Sequence, residues 1–393
     1  MRTRRISAIV LFGVLCWGIL TLWAPERWPL SVFQVAVFGL AAAWILLAAN
    51  GRARLKFHRL LLALAGAVLW GLLQLALGKT VYQWDTWNAV LNWTTNFAIV
   101  FVALQSLADS GLRDRFLRAI LIFGFLLSIL AVTQMLTSGG KVFWLFESGY
   151  THFVLGPFVY KNQYAAFVEA LLPLALVAAL RDGRHRVAYV CVAATLFASV
   201  IASASRAGAI LCTAEILLAP ALGFARGLIS RRTLAQLTVT LAAAGVLFTV
   251  VAGWETLWHR LQQADPLVLR GEMLASSLEM IRERPVTGFG LGTWATAYPK
   301  YARFDNGTFV NQAHDDWVQW AAEGGIPFLA LMLAVVLSIA RPAFDSLWGL
   351  GLLVVFVHCA LDYPMQQRPA LAAFFFALCG ALAAHGSGRP QRL

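Results

Sequence analysis

Long apolar stretches recur along this chain and constrain its fold more than any other feature. A bilayer core about 30 Å thick needs a helix of about 20 apolar residues, so stretches of that length are typical of transmembrane helices. With 60% hydrophobic and only 13% charged residues, the chain has more apolar surface than a soluble core could bury. Twelve stretches run at about 6–23, 29–49, 57–77, 88–108, 116–137, 162–180, 187–204, 207–222, 234–253, 317–340, 343–361 and 369–385. The sequence therefore predicts an all-α polytopic membrane protein with about 12 transmembrane helices.

The distribution of basic residues gives these helices a direction. A net charge of +12 would suggest nucleic acid as the partner of a soluble protein, but here the basic clusters fall in alternate connections, as the positive-inside rule requires. With Met1 inside, the predicted cytoplasmic clusters are Arg2, Arg4 and Arg5; Arg52, Arg54, Lys56 and Arg59; Arg113, Arg115 and Arg118; Arg181, Arg184 and Arg186; Arg226, Arg231 and Arg232; then Arg341, Arg389 and Arg392. A single span across 187–222 would move the later clusters to the other side. We therefore predict twelve crossings, both termini cytoplasmic and no nucleic-acid partner.

Two long segments lie on the outer side of this predicted topology, at about 138–161 and 254–316. Long connecting segments commonly carry function, so we look for a site there. Four parts follow from this division: 1–137 with helices one to five, 138–253 with the first outer segment and helices six to nine, 254–316 with the long outer segment, and 317–393 with the last three helices and a short cytoplasmic tail.

The long outer segment contains a predicted amphipathic helix at about 271–283. Pro285 marks its end, and its apolar residues recur at helical spacing. These residues are Met273, Leu274, Leu278 and Ile281. The helix could lie on the membrane surface, or it could act as a lid over a lateral opening.

Three alternate glycines follow this helix, at Gly288, Gly290 and Gly292. They do not indicate a nucleotide-binding loop, because no strand precedes them and no Lys-Ser or Lys-Thr pair follows them. Glycine adopts backbone conformations closed to other residues, so we predict a tight turn with a close backbone approach that supports a site.

The outer segment ends in a helix that starts beside a histidine. Asp315 or Asp316 is suited to cap the helix N-terminus, which would hold His314 at the mouth of the membrane domain. A neutral imidazole there could accept a proton from a hydroxyl group; the alternative is a histidine that only caps a loop. The helix is interrupted at Gly324–Pro327, and Glu323, nine residues after His314, is predicted to have a packing or hinge role.

Three basic residues lie where a charge is costly. Arg206 separates two apolar stretches, Lys161 stands at the entrance of the sixth, and Arg270 stands at the start of the predicted surface helix. An Arg near membrane depth costs about 3 kcal/mol on insertion scales and usually faces a polar cavity with a partner. Each could instead extend to lipid phosphates. Together they favour a diphosphate ligand, because Arg binds phosphate oxygens in pairs and Lys supplies a point charge.

The other histidines predicted near the outer face are His152, His259 and His358. No pair among the histidines has a recognised metal-ligand spacing, so no metal site is predicted. His358 and Asp362 lie four residues apart near the outer end of the stretch 343–361, which predicts a hydrogen-bonded pair on one helical face.

Five spaced motifs resemble the O-antigen ligase-like membrane proteins, a family of O-antigen ligases, some polysaccharide polymerases and protein O-oligosaccharyltransferases. The motifs are Gly156–Phe167, Ser203–Gly208, Arg270–Gly290, His314–Gly325 and His358–Pro364. The resemblance covers about 156–380. One departure is Tyr160-Lys161-Asn162, which stands where the family pattern has Asn-Arg-Asn or similar.

The resemblance implies a C-type glycosyltransferase architecture in a bacterial inner membrane, with a periplasmic active site in contact with membrane lipids. It implies an undecaprenyl-diphosphate-linked glycan as donor, and neither a metal, a nucleotide sugar nor another cofactor. Lys161, Arg206 and Arg270 would hold the donor diphosphate, and His314 would activate an acceptor hydroxyl for inverting attack at the anomeric carbon. The expected supporting residues are Asn162, Gly288, Gly290, Asp315, His358 and Asp362.

The acceptor stays open among lipid A-core, a growing polysaccharide and a protein. Only a short polar tail follows His385, which favours the first two. A transporter or flippase of the same lipid-linked glycan is the alternative, and it predicts charges at several depths. Here the basic residues and His314 gather at the outer face while the inner halves of the helices are nearly charge-free, so we expect an enzyme.

Overall fold

The computed structural model describes residues 1–150, 153–252, 265–304, 307 and 309–386, and nearly all of its regular structure is helical. Helices α1 to α7 span Arg2–Leu20, Trp28–Ala49, Arg59–Ala76, Gln83–Ser106, Ser110–Thr137, Lys161–Arg181 and Arg186–Ala202. Helices α8 to α14 span Arg206–Ala225, Arg231–Ala252, Asp265–Glu283, Trp294–Ala297, Asp316–Ser346, Leu350–His358 and Pro369–Gly386. A short 3-10 helix, Tyr298–Lys300, follows α11, and strands β1, Lys141–Val142, and β2, Phe146–Glu147, pair as an antiparallel hairpin. His152, His259 and the predicted boundary at residues 253 and 254 lie outside the described residues.

Length and composition make eight of the described helices suitable for crossing a membrane, namely α1 to α6, α8 and α12. Two shorter apolar helices, α7 and α14, accompany them. Many large apolar side chains, such as Leu62, Ile122 and Leu337, are exposed on the outside of the bundle, where lipid tails can cover them. The predicted all-α, multi-pass membrane protein is confirmed.

The stretches predicted at 187–204 and 207–222 form two helices rather than one. Helix α7 ends at Ala202, a turn follows, and α8 starts at Arg206. Gly208 lies so close to α6 that a Cβ atom there would come within 2.5 Å of the Ala165 Cβ, and Gly223 lies next to Leu180 at the other end of α6. Helices α6 and α8 therefore run parallel, and α7 returns between their ends.

The helix predicted at 343–361 is shorter in the structure and begins only after a turn. Helix α12 continues through Pro342 to Ser346, the chain turns at Leu347, whose φ is 64°, and α13 covers only Leu350–His358. Nine residues rise about 14 Å at 1.5 Å per residue, roughly half of a bilayer core of about 30 Å. The segment after α13 lies close to the start of α12, because the Asp316 N–H donates a hydrogen bond to the Cys359 carbonyl at 2.7 Å.

Two ends of the bundle differ in composition. At the end we call the site end, the starts of α6, α8 and α12 meet the segment after α13, and the Lys161 Nζ donates to the Ala204 carbonyl at 3.1 Å. At the opposite, basic end, Arg226 donates to the Phe344 carbonyl and the Arg113 Nη2 lies 3.3 Å from the His385 Nδ1. Polar contacts to the site thus come from the first turns of several helices.

Helix α12 is kinked at Gly325, which has a φ of 69°. A kink of this kind breaks main-chain hydrogen bonds, and the freed groups need other partners. The glycine-rich segment after α10 supplies them. The Phe289 N–H donates to the Ala322 carbonyl at 3.0 Å, the Gly290 N–H to the Glu323 carbonyl at 2.9 Å, and the Ile326 N–H to the Pro285 carbonyl at 2.8 Å.

This close approach requires glycine. A Cβ on Gly288 would lie 2.3 Å from the Glu323 carbonyl oxygen, and one on Gly290 would lie 2.3 Å from the Thr80 hydroxyl. Both residues have positive φ, as does Gly292. The prediction that these glycines form a tight turn with close backbone approach is confirmed.

The helix predicted at 271–283 is present as α10, which starts earlier than expected, at Asp265, but the predicted amphipathic face is not. Its apolar residues do not form one face. Met273 and Met280 are buried with Ser276 and Ser277, whereas Leu274 and Leu278 are exposed. The buried side meets Trp294, whose Nε1 donates to the Ser277 hydroxyl at 3.0 Å. Helix α10 is therefore attached to the protein along a narrow stripe that includes two serines.

Replacing Gly325 by Ala should destabilise the protein. The added Cβ would lie 2.1 Å from the Val286 carbonyl oxygen, at a φ that disfavours residues other than glycine. We expect the free energy of unfolding to fall by about 2 kcal/mol or more, measured by denaturant unfolding in detergent. Gly39→Ala is the matched control, because nothing lies within 4 Å of that position in α2; unfolding of the two variants at the same denaturant concentration would contradict the role given to the kink.

Candidate functional site

The carboxylate of Asp362 lies at the centre of the site end, with only 1% of its side chain exposed. Its Oδ2 accepts hydrogen bonds from the Tyr160 hydroxyl at 2.9 Å, from the Asn162 amide and from the Arg270 Nη2 at 3.1 Å. Its Oδ1 accepts from the Tyr363 N–H at 2.9 Å. A buried carboxylate needs this many donors, and here they come from the start of α6, from α10 and from its own loop.

His314 faces the other oxygen of this carboxylate. Its Nδ1 lies 3.4 Å from the Asp362 Oδ1, and its ring meets the Tyr363 ring edge-on with the centroids 4.7 Å apart. The residue has a φ of 56°, a left-handed conformation that is uncommon outside glycine and is often found at functional sites.

The chain on both sides of His314 is fixed by hydrogen bonds. The Asp315 Oδ1 caps α12 by accepting from the Val318 N–H at 3.0 Å, as the sequence predicts for an N-cap. On the other side, the Ala313 N–H donates to the Gln319 Oε1 at 3.0 Å. The imidazole is thereby held at the start of α12.

The surroundings of Asp362 favour its negatively charged form. Burial alone would raise its pKa, but the neighbouring His314, Arg270 and His358 outweigh that effect and lower the pKa to about 2. Burial, together with the negative charge of Asp362, raises the pKa of the Tyr160 hydroxyl well above its ordinary value, so Tyr160 stays a hydrogen-bond donor.

Arg270 uses part of its guanidinium to hold this arrangement. Its Nη1 donates to the Leu361 carbonyl at 2.9 Å while its Nη2 binds Asp362. A guanidinium has five N–H donors in a planar fork, so further donors remain for an anion, and 31% of the side chain is exposed. The sequence predicted Arg270 as a phosphate ligand; in the structure it also pairs with the central carboxylate.

Asn162 connects the α7–α8 turn to the same centre. Its Nδ2 donates to Asp362 and its Oδ1 accepts from the Ser205 hydroxyl at 2.8 Å. Ser205 also caps α8, whose first residue is Arg206, and Lys161 reaches the Ala204 carbonyl next to that cap. The predicted residues Lys161, Arg206, Arg270 and His314 therefore lie on segments that meet around Asp362. Three helix N-termini converge there, each carrying a partial positive charge.

The predicted side-chain pair of His358 and Asp362 is wrong. The His358 Nδ1 lies 2.8 and 2.9 Å from the two carboxylate oxygens of Glu169, and both side chains are fully buried. Because α13 ends at His358, Asp362 does not share a helical face with it; only the Asp362 N–H reaches the His358 carbonyl, at 2.9 Å. His358 thus supports the loop that carries Asp362 by bonding to α6 inside the helix bundle.

Gly288 and Gly290 support the site indirectly, through the residues around Glu323. Glu323, which the sequence predicts only as a packing or hinge residue, accepts from the N–H groups of Gly292 and Trp294 at 2.9 and 3.2 Å. Its Oε1 also accepts from the Gln319 Nε2 at 3.0 Å. Gln319 in turn holds the residue before His314, so the glycine-rich segment, the kink and the histidine form one connected unit.

The sequence analysis missed two acidic residues at mid-helix, Glu169 in α6 and Glu215 in α8. Both are buried, and the carboxylate of Glu215 has no hydrogen-bond partner among the described residues. Ionisable residues inside apolar stretches are costly and often functional, which is the signal that could have found them. The expectation concerned the inner halves of the helices, whereas these two acidic side chains lie near the middle of α6 and α8.

Comparison with known families supports the resemblance noted in the sequence. Residues 191–333 match the family model described as O-antigen ligase. No curated protein matches the chain. The matched region includes Arg206, Arg270 and His314, whereas Lys161 and Asp362 lie outside it. Over residues 191–333 the chain is therefore similar to the O-antigen ligase family, whose members are ligase- and polymerase-type membrane enzymes that act on lipid-linked glycans.

Proposed function

We propose that this protein is a membrane glycosyltransferase that transfers or polymerises an undecaprenyl-diphosphate-linked glycan at the periplasmic face of a bacterial inner membrane. The observation that carries the proposal is the arrangement of His314 and Arg270 on the buried carboxylate of Asp362, partly within the region that is similar to the O-antigen ligase family. A base that lies beside a carboxylate and near anion-binding groups suits transfer from a diphosphate.

The basic groups at the site end bind the donor diphosphate in this proposal. Lys161 and Arg206 begin α6 and α8, and Arg270 has guanidinium donors beyond those that it gives to Asp362 and Leu361. As the glycosidic bond breaks, negative charge grows on the leaving diphosphate. Fixed cations and helix N-termini stabilise that charge without reorganising.

His314 acts as the general base. Its Nδ1 faces Asp362, which leaves Nε2 to receive the proton of the acceptor hydroxyl. The hydroxyl oxygen attacks the anomeric carbon, the bond from that carbon to the diphosphate oxygen breaks with its electron pair on oxygen, and undecaprenyl diphosphate leaves. Attack opposite the leaving group inverts the anomeric centre. The ionised Asp362 stabilises the imidazolium that forms, and the reaction uses neither a metal nor a nucleotide sugar.

The orientation follows from the charges at the two ends. Arg113, Arg181, Arg186 and Arg226 all lie at the basic end, which the positive-inside rule assigns to the cytoplasm. The site end is then periplasmic, with both termini cytoplasmic. Counting α13 with its flanking turns as one crossing gives twelve crossings in this assignment. That number fits a C-type glycosyltransferase arrangement.

The acceptor is a lipid A-core or a growing polysaccharide in the first instance, with a protein as the alternative. To decide, purified enzyme is given the lipid-diphosphate glycan with lipid A-core, with further donor alone, or with an acceptor protein, and the products are separated by size. A product that forms in only one of the three reactions identifies the acceptor. No product in any arm, from folded enzyme that still binds the donor, would overturn the enzymatic function.

Transport of the lipid-linked glycan is the rival, and the mid-depth Glu169 and Glu215 are the observation in its favour. Reconstituted vesicles separate the two functions. A transporter moves labelled donor across the bilayer without forming a new glycosidic bond, whereas the enzyme forms the bond with all of its donor on one side.

Replacing His314 by Ala should lower turnover by about 10²- to 10⁴-fold, the usual contribution of a general base. Binding of undecaprenyl diphosphate should change little, since the cations remain. His185→Ala is the matched control, because this histidine pairs with Asp182 at the basic end. Equal turnover by His314→Ala and the wild type would refute the assignment of the base and leave the diphosphate site standing.

Replacing Arg206 by Gln should weaken binding of undecaprenyl diphosphate. A hydrogen bond to a charged group contributes about 1.5–3 kcal/mol, so Kd should rise roughly 10- to 100-fold, measured by calorimetry or fluorescence in detergent. Arg226→Gln removes a guanidinium at the basic end and should leave Kd unchanged. Equal effects from the two variants would show that only overall charge matters.

A further inference from the structure

A polar cavity of about 280 Å³ lies beside the site, between α4 and the start of α12. Three amide side chains from α4 line it at intervals of four residues, Asn88, Asn92 and Asn96, so they project from one face of the helix. The sequence analysis did not single them out. The Asn88 Oδ1 accepts from the Arg27 Nη1 at 3.0 Å and the Asn92 Oδ1 accepts from the Gln34 Nε2 at 3.1 Å. In a helix suited to cross a membrane, amides such as these face polar groups, and the cavity lies along the same face.

The cavity adjoins the two segments that carry the site. Asn311 and Gln312 line it just before His314, and Gln366 and Gln367 line it just after Asp362. Gln319 is shared, since it lines the cavity and accepts from the Ala313 N–H at 3.0 Å. A molecule that reacts at His314 could therefore extend directly into this space.

Some of the polar atoms in the cavity wall are unsatisfied. The Gln312 Oε1 and the Gln366 Nε2 are buried and have no hydrogen-bond partner among the described residues. Leaving such a group unpaired costs about 1–3 kcal/mol, so a ligand that supplies both donors and acceptors would be favoured here. An amide offers one acceptor oxygen and two N–H donors, which matches a ligand rich in hydroxyl groups.

The charges of the lining exclude the diphosphate from this space. No Lys or Arg is among the described residues that line it, and its charged members are Asp85 and Glu323. Glu323 is already engaged with Gly292, Trp294 and Gln319. The ring of Trp93 adds an apolar surface of the kind that covers the face of a sugar ring.

We propose that this cavity binds an uncharged sugar unit of the glycan next to the reacting bond. The proposal rests on the proposed function, because it assigns the sugar-binding part of that same site. A volume of about 280 Å³ is at the lower limit of the range of about 300–1,000 Å³ for small-molecule sites, which suits one or two sugar rings. The sugar belongs either to the donor or to the acceptor, since the glycans of both would offer hydroxyl groups to the same amides.

Binding measurements test the proposal without depending on turnover. The variants are Asn96→Leu, which removes a buried amide on α4, and Gln312→Leu, which leaves every membrane-spanning helix intact. The Kd of each variant is measured for three probes. They are undecaprenyl diphosphate alone, the same lipid with its glycan, extracted from the cells in which this protein occurs, and the acceptor glycan released from its lipid. Thr94→Val is the matched control, because its hydroxyl bonds within α4, to the Val90 carbonyl at 2.8 Å.

We expect both cavity variants to raise Kd about tenfold for one glycan-bearing probe and to leave Kd for undecaprenyl diphosphate unchanged. Weaker binding of the glycan-carrying lipid assigns the cavity to the donor, and weaker binding of the free glycan assigns it to the acceptor. Unchanged Kd for both glycan probes overturns the proposal, as does an equal loss in the Thr94→Val control. If His314→Ala retains full turnover while the cavity variants still lose glycan binding, the proposed catalysis fails and the sugar site stands.

Discussion

An ionised carboxylate that is almost fully buried persists only where hydrogen-bond donors and cations replace the water that it has lost. Asp362 meets this condition through the Tyr160 hydroxyl, the Asn162 amide and the Arg270 guanidinium, with His314 on its other oxygen. These residues come from parts of the chain up to about 200 positions apart. The need to surround one charge therefore fixes where α6, α10 and α12 meet. Removal of any donor would leave part of that charge unpaired, so these groups stabilise the fold whatever else they do.

The kink in α12 has a comparable effect on the opposite side of His314. A regular helix at Gly325 would satisfy its own main chain and would leave the glycine-rich segment without partners. The broken helix offers the Ala322 and Glu323 carbonyls, and the segment pairs with them. Glu323 then accepts from Gln319, which fixes the residue before His314. The positive φ of His314 is held by two supports, the cap of α12 on one side and this chain of hydrogen bonds on the other.

The sequence predicted the parts of this protein that depend on local chemistry. Apolar length gave the transmembrane helices, glycine spacing gave the turn at Gly288 and Gly290, and a capping aspartate placed His314 at a helix start. It failed where a partner is distant in the chain. His358 was paired with its neighbour Asp362 by spacing, yet its partner is Glu169, 189 residues away. The helix bounds predicted at 343–361 were too wide, because hydropathy does not register a turn at Leu347 inside an apolar run. Long-range pairing of buried charges requires the packing to be known first.

The distribution of charge divides the site end into two regions of different chemistry. Cations and helix N-termini surround Asp362, whereas the described lining of the neighbouring cavity contains amides, one tryptophan and two acidic side chains. A lipid-linked glycan has the same division, with a diphosphate joined to uncharged sugars, and its first glycosidic bond lies at the boundary. His314 stands at that boundary, since Asp362 lies on one side of it and Gln312 on the other. A diphosphate in the cavity would lack cations, and a sugar against Arg270 would leave donors unpaired. In the proposed function, this division of charge would place the diphosphate beside the cations and an uncharged sugar of the donor or the acceptor in the cavity, with His314 between them.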